Sequence, residues 1–196
     1  RSAHILIMQD QIEYFFQPKK SRISQRQFKK DLLSFEAGIN FAKRMDVDIL
    51  VIGDLKRELP FKSIFDYVNG GHCVFMTMQT LGIQTTLEKI LNYFPESDRD
   101  YISTVLAQDL IGVCSQALMV NPLEQKMVPA HEVLVVNSNI RKLIQQGKIS
   151  QLEHNFKSAG EGSYLFEQDV PKIVREGKVS REIGDGFLSW YKTLKT

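Results

Sequence analysis

Carboxylates at the ends of apolar runs are the first candidates for chemistry in this sequence. Asp54 follows Ile49-Leu50-Val51-Ile52-Gly53, and Asp10 and Glu13 follow His4-Ile5-Leu6-Ile7-Met8-Gln9. Ligands of open α/β sheets bind outside the carboxyl ends of the strands. A carboxylate there can hold a divalent cation or orient a water, or it can simply cap the next helix or sit in a loop. Arg22 and Arg26 flank Ile23 in a charged, alternating stretch with the texture of a short edge strand, where charge blunts edge-to-edge pairing. His72 follows Gly70-Gly71 and opens an apolar run, which suits a site residue and a satisfied structural histidine equally. His131-Glu132 opens a strand and reads as structural. No two histidines have metal-ligand spacing, and Cys73 and Cys114 lie far apart without a CxxC. Neither a zinc site nor a disulfide framework is expected, and a reduced, cytosolic protein is the simplest reading.

The 196 residues are enough for one domain, or one with a small appendage. Hydrophobic residues at 43% and charged residues at 24% place the chain among globular proteins and exclude a wholly disordered or collagen-like one. The 25 Lys and Arg against 23 Asp and Glu leave a net charge of +2, too weak an imbalance to argue for nucleic acid or an anionic membrane. The apolar runs fall far short of the roughly 18 residues that span a bilayer. No signal peptide opens the chain. Its first residue is Arg1, which suits a processed terminus or the later part of a longer polypeptide.

The elements that must position these groups alternate. His4–Met8 reads as a buried strand, Ile12–Phe16 as a β-prone aromatic run closed by Pro18, and Arg22–Gln27 as an edge strand. Ser34 is a helix N-cap with Phe35, Ile39 and Ala42 on one face. Ile49–Ile52 shows no alternation, as expected of a strand covered on both faces. Pro60 opens a helix to about Asn69, and His72–Met78 is a further strand. A helix spans Thr85–Phe94. A longer one starts at Asp98 or Asp100 and carries Ile102, Val105, Leu106, Leu110 and Val113. Ala117–Val120 and Val128–Val136 flank Asn121-Pro122 as a hairpin. After Asn137-Ser138 the periodicity is helical throughout, in Ile140–Gln146, Ile149–Phe156, Tyr164–Arg175 and Ser180–Leu194. The expected organisation is an α/β region over residues 1–136, built on a doubly wound sheet, and a helical C-terminal subdomain over 137–196.

Four stretches, in order and at compatible spacing, resemble the motor ATPases of type IV pili, and most closely their twitching-motility retraction branch. His4 to Tyr14 is similar to that family's acidic Asp box, I-E-D-P-I-E-F. Asp48 to Lys56 is similar to its Walker B strand, D-V-I-L-V-G-E-M-R. Gly71 to Thr80 is similar to its His box, G-H-L-V-F-A-T-L-H-T. Asn139 to Gln145 is similar to A-I-R-N-L-I-R of the retraction branch. The resemblance implies a RecA-like P-loop ATPase core, in a cytoplasmic hexameric ring at the inner-membrane face of the pilus machine. ATP hydrolysis at the subunit boundaries of such a ring withdraws pilin, and ATP and Mg²⁺ are the implied cofactors. Asp54 would hold Mg²⁺ or orient water, with Asp10 and Glu13 supporting. Arg26, and secondarily Arg22, would reach a neighbour's phosphates as an arginine finger. His72, Gln79 and Gln9 would line the nucleotide site or the interface. Ile140, Arg141, Leu143 and Ile144 form one amphipathic helix, and the resemblance adds a role in coupling nucleotide state to the inner-membrane platform proteins of the pilus. The implied partners are other copies of the chain and that platform, with no nucleic acid and no zinc.

The departures are specific. No G-x-x-x-x-G-K-[ST] occurs, so the RecA-like core is incomplete; the family's phosphate loop and its strand would lie before Arg1, and this chain alone is expected to bind ATP poorly. The Asp-box Glu is Gln9, the Walker B Glu is the shorter Asp54, and the second His of the His box is Gln79. The leading reading is the C-terminal portion of a retraction-type motor. The alternative is a non-catalytic paralogue, an assembly or regulatory subunit of the ring. A secretion ATPase of the same superfamily is a third reading, opposed by the Ile140–Ile144 motif. Many such ATPases insert a four-cysteine zinc module, which this chain lacks. Without the phosphate-loop strand beside it, Ile49–Ile52 is expected to be left with an open edge, so an upstream segment is expected in the natural protein. A shortened paralogue that covers this edge differently is the competing expectation.

Overall fold

Four apolar runs form a parallel sheet in a computed structural model that describes residues 2–53, 60–121, 125–158 and 161–194. β1 (His4–Gln9), β2 (Arg22–Gln27), β3 (Ile49–Gly53) and β4 (Cys73–Met76) are ordered β2-β1-β3-β4. The register sets Gln9 level with Gln27 and Gly53, and Ile52 level with Met76. Leu6, Met8, Leu50 and Ile52 are fully buried, as the unbroken apolar pattern of a doubly covered parallel sheet demands.

α1 (Phe35–Arg44) starts where Ser34 Oγ accepts the Ala37 amide at 3.1 Å, the expected N-cap. Phe35, Ile39 and Ala42 are its buried face. Gly38 lets the helix sit close to β1, since a Cβ there would lie 2.4 Å from Met8 Sδ. α2 (Phe61–Asn69) begins just after Pro60 and anchors itself through Tyr67, whose hydroxyl donates to the Val47 carbonyl at 2.7 Å. These elements make one compact unit, Arg1–Gln79.

The expected open edge on Ile49–Ile52 is not found. β3 is flanked by β1 and β4, because the α2 crossover returns the chain parallel to β3 on the side away from β1. Within this sheet the outer strands are β2 and β4. The Ile12–Phe16 run is not a strand: its exposed aromatics belong to the loop between β1 and β2.

The second unit is Thr80–Thr196. It contains α3 (Ile83–Asn92), α4 (Glu96–Asp109), the antiparallel hairpin β5 (Gly112–Asn121) and β6 (Lys126–Val135), α5 (Ser138–Gln145), α6 (Phe166–Arg175) and α7 (Arg181–Thr193). α4 stops at Asp109, so Val113 lies on β5 and not on the helix. Gly112 explains the switch, because a Cβ there would come within 2.8 Å of the Leu134 carbonyl oxygen on the paired strand. Ile149–Gln151 and Glu153–Ser158 form 3₁₀ turns in place of the expected helix. Met119, Ala130, Phe166, Val170, Ile173 and Tyr191 form a core between the hairpin and the last two helices. The contact boundary after Gln79 differs from the change of texture at Val136, because the hairpin shares its core with the helices that follow it. On its far side β6 is bridged by Tyr164, which exchanges backbone hydrogen bonds with Val133, and Pro129 has no amide hydrogen to offer a further strand.

Candidate functional site

The carboxyl ends of β1, β3 and β4 open into a pocket of about 620 Å³ within the first unit. Ile7, Phe16, Val51 and Met78 give it an apolar wall, and Gln9, Glu13, Thr77 and Gln79 its polar groups. The parallel register places this site, since Gln9 ends β1 level with Gly53 at the end of β3. A Cβ at Gly53 would meet the Gln9 side chain at 3.7 Å from Cγ and Thr77 Oγ1 at 4.0 Å, both ordinary contacts, so the glycine leaves room above the sheet without being sterically required. Gln9 Oε1 is buried and has no hydrogen-bond partner among the described residues. That places an amide oxygen, an acceptor without charge, at the end of β1.

The loop bearing Glu13 and Phe16 is held by one side chain of β2. Gln25 Oε1 accepts the Phe16 amide at 2.9 Å, and Gln25 Nε2 donates to the Tyr14 carbonyl at 2.8 Å. The amide spans the loop like a rung and fixes Phe16 as pocket wall. The Phe16 and Tyr14 rings meet edge to face, with centroids 5.0 Å apart.

The structure brings together three of the sequence candidates, Gln9, Glu13 and Gln79. Asp10 follows Gln9 at the strand end but does not line the pocket. Asp54 lies outside the described residues. His72 sits at the opposite, amino end of β4, stacked on Tyr67 with ring centroids 4.3 Å apart. The stack suits the structural one of the two sequence readings. Arg26 pairs in register with Met8, near the pocket end of the sheet, whereas Arg22 pairs with His4 at the other end. The four-residue separation puts them roughly 13 Å apart along the strand. Both arginines are exposed.

In the second unit Ile140 and Ile144 are completely buried and Leu143 is half-buried. Arg141 Nη1 donates to the carbonyls of Ala107 and Gln108, satisfying the carboxyl end of α4. These residues pack α5 against its own unit, and the exposed residues of the helix are Ser138, Asn139, Lys142 and Gln145.

Phe16, Thr77 and Met78 line the pocket without having been singled out from sequence. The Gln25 clamp that places Phe16 leaves no periodic signal. Among the described residues no group of three or more His, Cys, Asp and Glu could hold a metal ion. Among the described residues one carboxylate, Glu13, lines the pocket. Mg²⁺ is usually held by one or two carboxylates together with water and phosphate oxygens, so Glu13 suits an outer ligand. Among the described residues no cationic side chain lines the pocket to neutralise phosphates, so these residues alone do not make a complete nucleotide site.

A parallel α/β unit with its pocket at the strand ends is followed along the chain by a hairpin-and-helix unit. No protein-family model matches the chain. It is 31% identical over 181 residues to the twitching motility protein of Neisseria gonorrhoeae, covering 92% of this chain and 48% of that protein. It is 28% identical over 180 residues to the type IV pilus retraction ATPase PilT of Pseudomonas aeruginosa, covering 91% and 52%. Its fold matches the crystal structure of the pilus retraction motor PilT with bound ADP at a TM-score of 0.84 and 29% identity, over 94% of this chain and 52% of that one. Over nearly all of its length the chain is similar to PilT-like secretion ATPases. It spans about half the length of the relatives it matches.

Proposed function

We propose that this chain is the C-terminal portion of a type IV pilus retraction-type motor, in which ATP hydrolysis drives pilus disassembly and twitching motility. The observation that carries this reading is the match, over nearly all of the chain, to a retraction motor with bound ADP. The pocket lies where such a fold presents its ligand. Glu13 would serve the metal side of the nucleotide, Asp10 and Asp54 would be the further carboxylates of this reading, and Arg26, near that end of the exposed edge, would reach a neighbouring copy. ATP with Mg²⁺ is the proposed ligand. A phosphate loop supplied from outside these 196 residues would complete the site. Self-association into a ring on the cytoplasmic side of the inner membrane, against the pilus platform, belongs to the same reading. No helix among the described residues is long and apolar enough to cross a membrane.

A second reading is favoured by one observation. Gln9 and Gln79 put two neutral amides in the pocket, and Gln9 Oε1 is buried without a partner. A ring subunit that no longer hydrolyses ATP would tolerate that arrangement. The deciding experiment is ATP turnover by the full-length polypeptide, with and without Asp54→Ala, beside the twitching phenotype of a deletion strain. Turnover abolished by Asp54→Ala, with loss of twitching on deletion, supports the motor. No turnover in the unaltered polypeptide supports the non-catalytic subunit.

A further inference from the structure

The overall charge of +2 conceals a strong local asymmetry. Residues 14–30 contain Lys19, Lys20, Arg22, Arg26, Lys29 and Lys30 and no Asp or Glu. With six of the 25 cations and none of the 23 carboxylates in this stretch, the rest of the chain carries a net charge of −4. All six cations are exposed, and none makes an ion pair among the described residues. They lie on and beside β2, an outer strand of the sheet. At one end of this stretch Tyr14, Phe15 and Phe16 are 66%, 68% and 47% exposed. Edge protection by charge explains one or two cations on such a strand. It does not explain three consecutive solvent-facing aromatics held in place by the Gln25 clamp.

The same chain carries a surface of opposite character. At the start of α4, Glu96, Asp98 and Asp100 are exposed, flanked by Tyr93 and Tyr101 at 43% and 63% exposure. Glu96 and Asp100 have no ion-pair partner among the described residues. One surface is basic with aromatics, the other acidic with aromatics. Charge complementarity of this kind steers association and fixes register. Two different surfaces that fit each other give head-to-tail contacts, which form a ring where the rotation closes and a filament where it does not.

We propose that the basic, aromatic edge at residues 14–30 of one copy docks on the acidic first turns of α4 of a second copy. The inference rests on the ring reading above and names the surfaces that would make the ring. Phe15 and Tyr14 would pack against Tyr93 and Tyr101, while Lys19 and Lys20 face Glu96, Asp98 and Asp100.

The test is sedimentation velocity on the full-length polypeptide, comparing Lys19→Glu/Lys20→Glu/Arg22→Glu, Glu96→Lys/Asp98→Lys/Asp100→Lys, and an equimolar mixture of the two variants. Each variant alone should associate at least roughly tenfold more weakly than the unaltered protein, because like charges then face each other. The mixture should recover assembly, since each reversed surface meets its complement in the other variant. Circular dichroism of each variant checks that it is folded. Undiminished assembly of either variant alone, or no recovery by the mixture of folded variants, overturns the proposal. So does an unaltered protein that stays monomeric. If that monomer sediments with vesicles of phosphatidylglycerol and phosphatidylethanolamine, and the Lys-to-Glu variant does not, the edge belongs to a lipid surface. ATP turnover measured in parallel separates this result from the motor reading: recovered assembly without turnover keeps the contact and removes hydrolysis.

Discussion

The Tyr191 hydroxyl donates to Glu132 Oε2 at 3.0 Å, while Glu132 Oε1 accepts the backbone amide of Ile83 at 2.9 Å. A fully buried carboxylate on β6 thereby joins the first turn of α3 to α7. The adjoining Gly82 amide donates to Ser115 Oγ on β5 at 2.8 Å. Two amides at the helix start are satisfied by hairpin side chains, and the positive end of α3 offsets part of the cost of burying the charge.

Removing either end of that link should cost unequal amounts. Tyr191→Phe deletes a hydrogen bond to a charged acceptor and should lower stability by about 1.5–3 kcal/mol. Glu132→Ala removes a buried charged acceptor shared by two donors and should cost about 3–5 kcal/mol. Gly82→Ala should also destabilise, because its φ is +93° and a Cβ would sit 2.4 Å from the Tyr191 hydroxyl. Urea denaturation of the three variants checks the order; equal losses from Tyr191→Phe and Glu132→Ala would contradict it.

Two glycines of α7 should respond in opposite directions to the same change. A Cβ at Gly184 would come within 2.6 Å of Val174 and 3.2 Å of Val170 on α6, and these branched side chains cannot swing aside. Gly184→Ala should therefore lower the melting temperature. Gly186 is exposed with nothing near its Cβ position, so Gly186→Ala should stabilise by about 0.5–1 kcal/mol through helix propensity alone. Thermal unfolding of the two variants is the measurement, and shifts of the same sign would sink the packing account.

Burial, with Asp48 and Asp46 nearby, pushes the Tyr67 phenol up to about 12. A raised phenol favours the protonated, folded form. Its stabilising effect is complete below pH 10 and is lost as pH climbs from about 10 to about 12. The first unit should unfold more readily across that window. Tyr67→Phe should flatten the dependence while lowering stability at neutral pH, where the hydrogen bond to Val47 is lost. Fluorescence-detected unfolding between pH 8 and 12 would show both effects.

Gln9→Glu returns to the pocket the carboxylate that the family resemblance expects at that position. In the full-length polypeptide it should raise ATP turnover by roughly tenfold or more, within the range of one positioned proton acceptor. A steady-state assay in the presence of Mg²⁺ checks this. An unchanged rate would show that Gln9 does not limit the reaction.

Most of the sheet was legible because unbroken apolar runs have few alternatives. Leu6, Met8, Leu50 and Ile52 had to be buried, and Ser34 and Pro60 marked helix starts that the structure reproduces. Strand order was not legible. Nothing in Ile49–Ile52 shows that β4 closes its second side, since neighbours in a parallel sheet are chosen by the crossover and not by the run itself. The pocket was half legible. Gln9, Glu13 and Gln79 stand at strand ends, where sequence points. Phe16 arrives through the Gln25 clamp, a long-range side-chain contact without periodicity. His72 was ambiguous: its place beside two glycines suits a site, whereas in the structure its ring stacks on Tyr67.

Pro129 and the Tyr164 bridge to Val133 have a consequence for how this chain misassembles. Together they blunt the outer side of β6, while no described strand pairs with the outer side of β5. An intruding strand from another molecule therefore has one entrance to the hairpin and not two. Strand exchange and amyloid-like stacking need both sides of each strand to propagate. A hairpin that accepts a guest on one side only terminates such growth after a single addition, so this unit carries its own chain stopper against fibril formation.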